Sequence, residues 1–218
     1  MRPVVRGDVP VDENNNPITF KHFSQARGYL KERIGAYCSY CERKLESGCQ
    51  VEHIHPKSKR PDLECDWTNF LIACPNCNPI KNNKEIVLSD YVWPDLDNTF
   101  KYFLYLDGFV FAADIPDKSK TEAMIKLVGL DRISVRDLLQ DSEQTDERQF
   151  YRLETWNLAQ RYYERLYKAD TEETRQTIVD LAIARGYWSV WMTIFKEDKD
   201  MINRLVSSFS GTNTSYFK

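Results

Sequence analysis

The chain has 218 residues and a net charge of −3, is 42% hydrophobic and 13% aromatic, and contains no long Gly, Ser, Pro or Gln tract. That composition excludes a disordered chain and suits one domain, or one and a half, around a real core. The opening "MRPVVRGDVPVDENNNPITF" lacks an apolar leader and no stretch of about 18 apolar residues occurs, so a cytoplasmic protein is expected, whose six cysteines point to metal or redox chemistry rather than disulfides.

Charge divides unevenly, with 13 Lys and Arg against 10 Asp and Glu in residues 1–84, and 17 against 23 in residues 85–218. A weakly acidic whole excludes indiscriminate coating of nucleic acid but permits a local basic site in the first part.

Residues 1–20 read as irregular. From Phe20, the residues Phe23, Ala26, Leu30 and Ile34 recur at helical spacing, so one helix is expected to lead into "AYCSYCE". His22 falls in that helix without a partner pattern, as a core or surface residue. The cysteine region extends to Lys84. Beyond it, "FKYFLYLDGFVFAA" alternates around Asp107-Gly108, the turn dipeptide of a hairpin. "SKTEAMIKLVGL" opens with a Ser or Thr cap and predicts a helix, followed by helices over 145–168, 171–186 and 188–207. The expected organisation is an N-terminal arm and helix (1–35), a cysteine module (36–84), and a hairpin with a helical region (85–218).

The chemistry lies in the middle. Cys38, Cys41, Cys74 and Cys77 form C-x2-C-x32-C-x2-C. Two such knuckles let four thiolates converge on one zinc ion, and a four-cysteine site leaves no open position, so its role is structural. A redox C-x-x-C would need one pair in a βαβ context, which is not visible here. Cys49 and Cys65 fit neither knuckle and receive no function.

The knuckles bracket "VEHIHPK", "DWTNFLIAC" and "CNPIKNNK". This arrangement resembles the HNH nuclease family, in which an acidic residue precedes a strand histidine, an Asn follows in the middle, and an Asn or His comes after the second knuckle. Glu52-His53-Ile54, Asn69 and Asn78 are the matching residues, with Lys81 and Pro56 nearby. The resemblance covers about residues 36–84 and implies an α+β protein whose ββα-metal fold is braced by zinc. It also implies nucleic-acid phosphodiester hydrolysis with His53 as general base, Glu52 and Asn78 holding a Mg²⁺-like ion, and Asn69 orienting the loop that carries the base. Elementary chemistry agrees: histidine has the neutral-range pKa a base needs, and a hard cation seeks carboxylate and amide oxygens. If the strand runs on through His55, its period of two puts His55 on the face of His53, as a secondary catalytic candidate. Lys57, Lys59, Arg60, Lys81 and Lys84 flank the site; Lys57 and Lys81 are the leading phosphate contacts.

A narrower likeness, spanning about residues 30–140, is to the HNH components of Septu-type bacterial anti-phage systems, including the retron-associated form. It implies a partner ATPase of the ABC type (PtuA-like) and, in retron systems, a reverse transcriptase with its multicopy DNA. No G-x-x-x-x-G-K-[ST] loop occurs, so any nucleotide dependence would come from a partner. Whether the substrate is DNA or RNA is left open. Two other classes use the same residues: a zinc-ribbon binding module without catalysis, and a regulatory subunit of an ABC-type ATPase. The stretches "AQRYYERLYK" and "GYWSVWMTIF" suit core packing better than base stacking. Trp188 and Trp191, three apart, are candidate anchors for a partner, or equally a core stripe.

Overall fold

The computed structural model describes residues 1–133 and 146–217. The N-terminal arm is irregular, as expected, yet Met1, Arg2 and Val4 are buried. Arg2 explains why the arm is ordered. Its guanidinium donates to the carbonyls of Ile34 (2.6 Å), Ser210 (2.7 Å) and Phe209 (3.3 Å) and to Thr212 Oγ1 (2.9 Å), tying the arm to two distant chain segments.

The helix expected from Phe20 is shorter. A 3-10 turn, Phe23–Ala26, precedes helix α1, Arg27–Ile34, and Gly35 (φ 74) ends it. The start is set by a reciprocal cap: His22 Nδ1 accepts from Ser24 N–H, while Gln25 Oε1 accepts from His22 N–H at 3.0 Å. His22 is therefore an exposed cap residue. Ala26, Leu30 and Ile34 form the buried stripe that the spacing predicts.

Two short antiparallel strands follow, β1 (Gln50–His53) and β2 (Phe70–Ala73), in the register Gln50↔Ala73 to His53↔Phe70. Every residue of β2 is buried, so it is the core strand of the pair. Helix α2, Cys77–Lys81, begins within the second knuckle and completes a ββα unit. After a single helical turn, α3 (Thr99–Tyr102), the chain forms the expected hairpin of β3 (Phe103–Leu106) and β4 (Phe109–Ala112). Asp107 (φ 48) and Gly108 (φ 77) both take the left-handed conformation that a two-residue turn of this type requires. Gly108 is also a contact point: a Cβ there would lie 2.6 Å from Leu153 Cβ, and its carbonyl accepts from Arg152 Nε at 2.6 Å.

Helix α4, Lys118–Val128, starts behind Asp117 in a left-handed conformation and has no side-chain cap, so the expected Ser or Thr cap is not used. The remaining helices are α5 (Arg148–Lys168), α6 (Glu172–Arg185), α7 (Trp188–Ile194) and α8 (Lys199–Ser208). Residue 145, where the first of these was expected to begin, lies outside the described residues. The helix expected over 188–207 divides because Asp198 caps a new start, accepting from Met201 N–H at 3.0 Å.

The ββα unit is fastened to the helices. Glu42, in the first knuckle turn, accepts from Ser189 Oγ (2.7 Å) and Ser189 N–H (3.2 Å) at the start of α7, and Gly186 packs so closely that a Cβ would meet Glu42 O at 2.5 Å. Trp188 and Trp191 lie beside this junction, 1% and 0% exposed, with their indole N–H groups on the carbonyls of Leu205 and Gly186. They are core residues and cannot anchor a partner, because both rings are already enclosed. Trp191→Ala is expected to cost about 3–5 kcal/mol in denaturant unfolding, whereas Tyr167→Ala, at an 88% exposed position, should stay within about 0.5 kcal/mol.

Candidate zinc centre and adjoining catalytic cleft

The four predicted cysteines converge. Cys38, Cys41, Cys74 and Cys77 are all buried, with their sulfurs within 4.8 Å of one another and Cys41 Sγ 3.7 Å from Cys74 Sγ. Zinc–sulfur bonds of about 2.3 Å in a tetrahedron put sulfurs about 3.8 Å apart, so the cysteines fit one zinc ion. Cys77 N–H points at Cys74 Sγ from 3.3 Å, the inward-facing amide that a metal-binding knuckle presents. Cys49 and Cys65 lie outside this group.

A zinc ion with four thiolates carries two net negative charges, which burial makes costly without a cation. Arg148, in the first turn of α5, supplies one. Its Nη1 donates to Cys77 Sγ at 2.9 Å and to Val128 O at 2.9 Å, while Nη2 donates to Gly129 O (2.7 Å) and Asp146 Oδ2 (2.6 Å). Arg148 thus joins the second knuckle, the end of α4 and the start of α5.

Beside the zinc centre, β1, α2 and the loop after β1 enclose a cleft of about 540 Å³. Glu52, His53, Lys57 and Asn78 line it, and Phe23 forms one wall. His53 ends β1 and is half-buried. Its Nε2 lies 2.9 Å from the carbonyl of Glu64. A carbonyl only accepts, so Nε2 carries the proton and Nδ1 of the neutral ring keeps its lone pair. Phe23 and Phe70 meet the imidazole edge-on, with centroids 4.9 and 5.3 Å away. Burial lowers the His53 pKa below its ordinary 6.5, and the Glu64 carbonyl bond opposes that shift only in part. The ring is consequently neutral, the form a base requires.

Asn69, although buried at the end of a 3-10 turn, Trp67–Asn69, reaches back across the loop. Its Oδ1 accepts from His55 N–H (2.7 Å) while Nδ2 donates to His55 O (3.0 Å) and Leu63 O (3.1 Å), closing a side-chain bridge two residues past His53. Asn78, on α2, donates from Nδ2 to Gln50 Oε1 at 2.8 Å on β1. Glu52 is 2% exposed; its Oε1 accepts from Tyr40 O–H (3.2 Å) and pairs with Lys81 Nζ (2.8 Å). Burial pushes the Glu52 carboxyl up, against the opposing pull of Lys81.

Two expectations need correction. The strand stops at His53 and the chain bends at Ile54 and His55, so the period of two ends and His55 does not line the cleft. Lys81 is not a surface phosphate contact: it is 1% exposed, and Nζ is held by Glu52 and by His53 O at 2.7 Å. Lys57, by contrast, stands at the cleft mouth, 49% exposed, over the Phe23 ring at 4.5 Å and paired with Glu64 at 3.1 Å. Arg60 is paired with Asp62, and both Lys59 and Lys84 are exposed. Phe23, Tyr40, Arg148 and the Glu64 carbonyl were not visible in the motif. A backbone acceptor leaves no sequence signal, and the side chains lie outside the local pattern.

Among the described residues, no second group of three or more His, Cys, Asp or Glu ligands surrounds Glu52. A catalytic cation would have one carboxylate, Glu52, with the Asn78 amide oxygen and water completing its shell, a donor set that suits Mg²⁺, which keeps several waters.

Comparison with known proteins places a family on this region. Residues 38–84 match the HNH endonuclease family model. Over 124 residues the chain is 26% identical to the Septu protein PtuB of Bacillus thuringiensis, an alignment covering 56% of this chain and 47% of that protein. The chain therefore spans about half the length of that relative.

The zinc assignment is checked by metal analysis. About one zinc per chain is expected, and Cys74→Ser should empty the centre and unfold the module. Arg148→Met should leave the four ligands in place yet weaken zinc retention against a chromogenic chelator about 10- to 100-fold.

Proposed function

We propose that this chain, which carries an HNH endonuclease module over residues 38–84, is a metal-dependent nuclease that hydrolyses phosphodiester bonds in DNA or RNA. The observation that carries the reading is His53, held by the Glu64 carbonyl so that Nδ1 is the basic nitrogen, in a cleft shared with Glu52 and Asn78. His53 takes the proton from the attacking water. Asn69 holds the loop beyond the base and limits its motion. Lys57, at the mouth, meets a phosphate of the bound strand. A divalent ion bound from Glu52 and Asn78 supplies charge neutralisation at the scissile phosphate.

The likeness to the Septu protein PtuB supports a place in an anti-phage complex, with an ABC-type ATPase as partner and, for a retron-associated form, a reverse transcriptase and its multicopy DNA. No helix among the described residues is long and apolar enough to cross a membrane. The partner surface cannot use Trp188 or Trp191. The outward face of the β3–β4 hairpin is the better candidate, since Leu104, Leu106, Phe109 and Phe111 are 38–55% exposed and pair directly as Leu104↔Phe111 and Leu106↔Phe109.

Cleavage of plasmid DNA and of total tRNA, with Mg²⁺ or Mn²⁺ and the ATPase partner present, tests the activity. His53→Ala should lower the rate by about 10²–10⁴-fold with zinc content unchanged, and wild-type activity that survives this change would refute the base assignment. Because burial lowers the His53 pKa, the acid limb of kcat/KM should fall below pH 6.5; an acid limb at or above that value would place another group in the role. A Leu104→Lys, Phe111→Glu double variant, which keeps opposite charges across the paired strands, should lose co-purification with the ATPase while melting near the wild-type temperature.

A further inference from the structure

Glu52 and Lys81 form a buried ion pair where a catalytic cation would have to be held. Lys81 Nζ lies 2.8 Å from Glu52 Oε1 and 2.7 Å from His53 O, and the two side chains are 1% and 2% exposed. Tyr40 O–H contacts the same carboxylate oxygen at 3.2 Å. A hard divalent ion seeks this kind of ligand, a carboxylate beside a carbonyl. An ammonium set between those oxygens is chemically its stand-in, with one positive charge and three N–H donors. Among the described residues no group of three or more His, Cys, Asp or Glu ligands includes Glu52, and Lys81 already neutralises its carboxylate.

We propose that Lys81 is the resident counter-cation of Glu52 and competes with the divalent ion for that carboxylate, so that the substrate-free centre holds metal weakly. The proposal rests on the reading of Glu52 as a metal ligand in a nuclease. Its physical basis is repulsion: a doubly charged ion brought to the same carboxylate meets the ammonium within a few ångströms, in a site too buried for water to screen the two charges. A nucleic-acid phosphate changes the balance, because its negative charge attracts the ion and offsets part of the repulsion from the Lys81 ammonium. Metal and substrate then bind with positive coupling, each raising the affinity of the other. Lys81 also bridges α2 to the strand end that carries the base, through His53 O. It is a positioning residue and a charge competitor at once, so its two roles must be separated by different readouts.

Mn²⁺ binding separates them. The zinc-loaded chain is titrated without nucleic acid at about pH 8, where a proton competes least for Glu52, and bound ion is read from loss of the free Mn²⁺ electron paramagnetic resonance signal. Lys81→Gln, whose amide still donates toward His53 O, should bind Mn²⁺ at least about tenfold more tightly than wild type. Lys81→Arg, which keeps the charge, should stay near wild type. Adding Glu52→Gln to Lys81→Gln should abolish the gain. A Lys81→Gln variant that binds no more tightly, or a double variant that keeps the gain, overturns the proposal. Zinc content and melting establish that each variant is folded, and Lys81→Met repeats the test should the glutamine variant not fold. No cleavage enters these measurements. Competition without cleavage of either polymer would refute the nuclease reading and leave the role of Lys81 standing, while a cleaving enzyme with unaltered Mn²⁺ affinity in Lys81→Gln would refute the role of Lys81 alone.

Discussion

Convergence of four thiolates at one buried point is the constraint on which the candidate site depends. Cys38 and Cys41 lie in a turn before β1, while Cys74 and Cys77 lie at the end of β2 and the start of α2. Neither strand exceeds four residues, too few for an isolated hairpin to hold itself in water. A zinc ion held by the four sulfurs would join both ends of the unit, and its binding free energy would become folding free energy. The cost would be a buried negative charge, which Arg43 in the first knuckle offsets in part from within the unit. Arg148, from α5, donates to Cys77 Sγ. The helical region is thereby part of the electrostatics of the zinc centre.

The same logic of buried charge recurs through the molecule. Arg2, Glu42, Glu52, Lys81, Arg148 and Arg152 are all 4% exposed or less, and each has hydrogen-bond partners in the structure. Such groups contribute little net stability compared with an apolar core, but removing one partner leaves a desolvated charge. Their positions are informative. Arg2 joins the N-terminal arm to α1 and to the segment after α8, Glu42 joins the first knuckle to α7, and Arg152 joins α5 to the β3–β4 turn. Each charged contact sits where separate chain segments must meet in one arrangement.

At the cleft, burial acts on chemistry rather than on stability alone. The imidazole of His53 is packed against two aromatic rings and tied by one nitrogen to a backbone carbonyl, which fixes its tautomer, while burial favours the neutral ring. Asn69 contributes at a distance, since its amide closes the loop without lining the cleft. A short hairpin, a bridged loop and the converging cysteine knuckles thus hold the imidazole in one orientation.

Local patterns determined much of this. The C-x2-C pairs gave the zinc centre because thiolate spacing within a knuckle is a short-range property, and Asp107-Gly108 gave the hairpin because two successive left-handed residues suit few other side chains. Glu52, His53 and Asn78 were legible as cleft residues through their order and register. What tertiary structure alone decided was burial and partnership. Whether the Trp188 and Trp191 stripe faced a core or a partner depended on what packed against α7, and helical spacing is the same in both cases. Lys81 read, with Lys57, as a leading phosphate contact until its ammonium was seen between Glu52 and His53 O. His55 would share the strand period of His53 only if the strand ran on, but β1 stops at His53 and the Asn69 side chain holds the His55 backbone in the loop beyond. Arg148 lies 71 residues from the thiolate it contacts, and no local pattern carries an interaction over that separation, because only the folded chain brings the two atoms together.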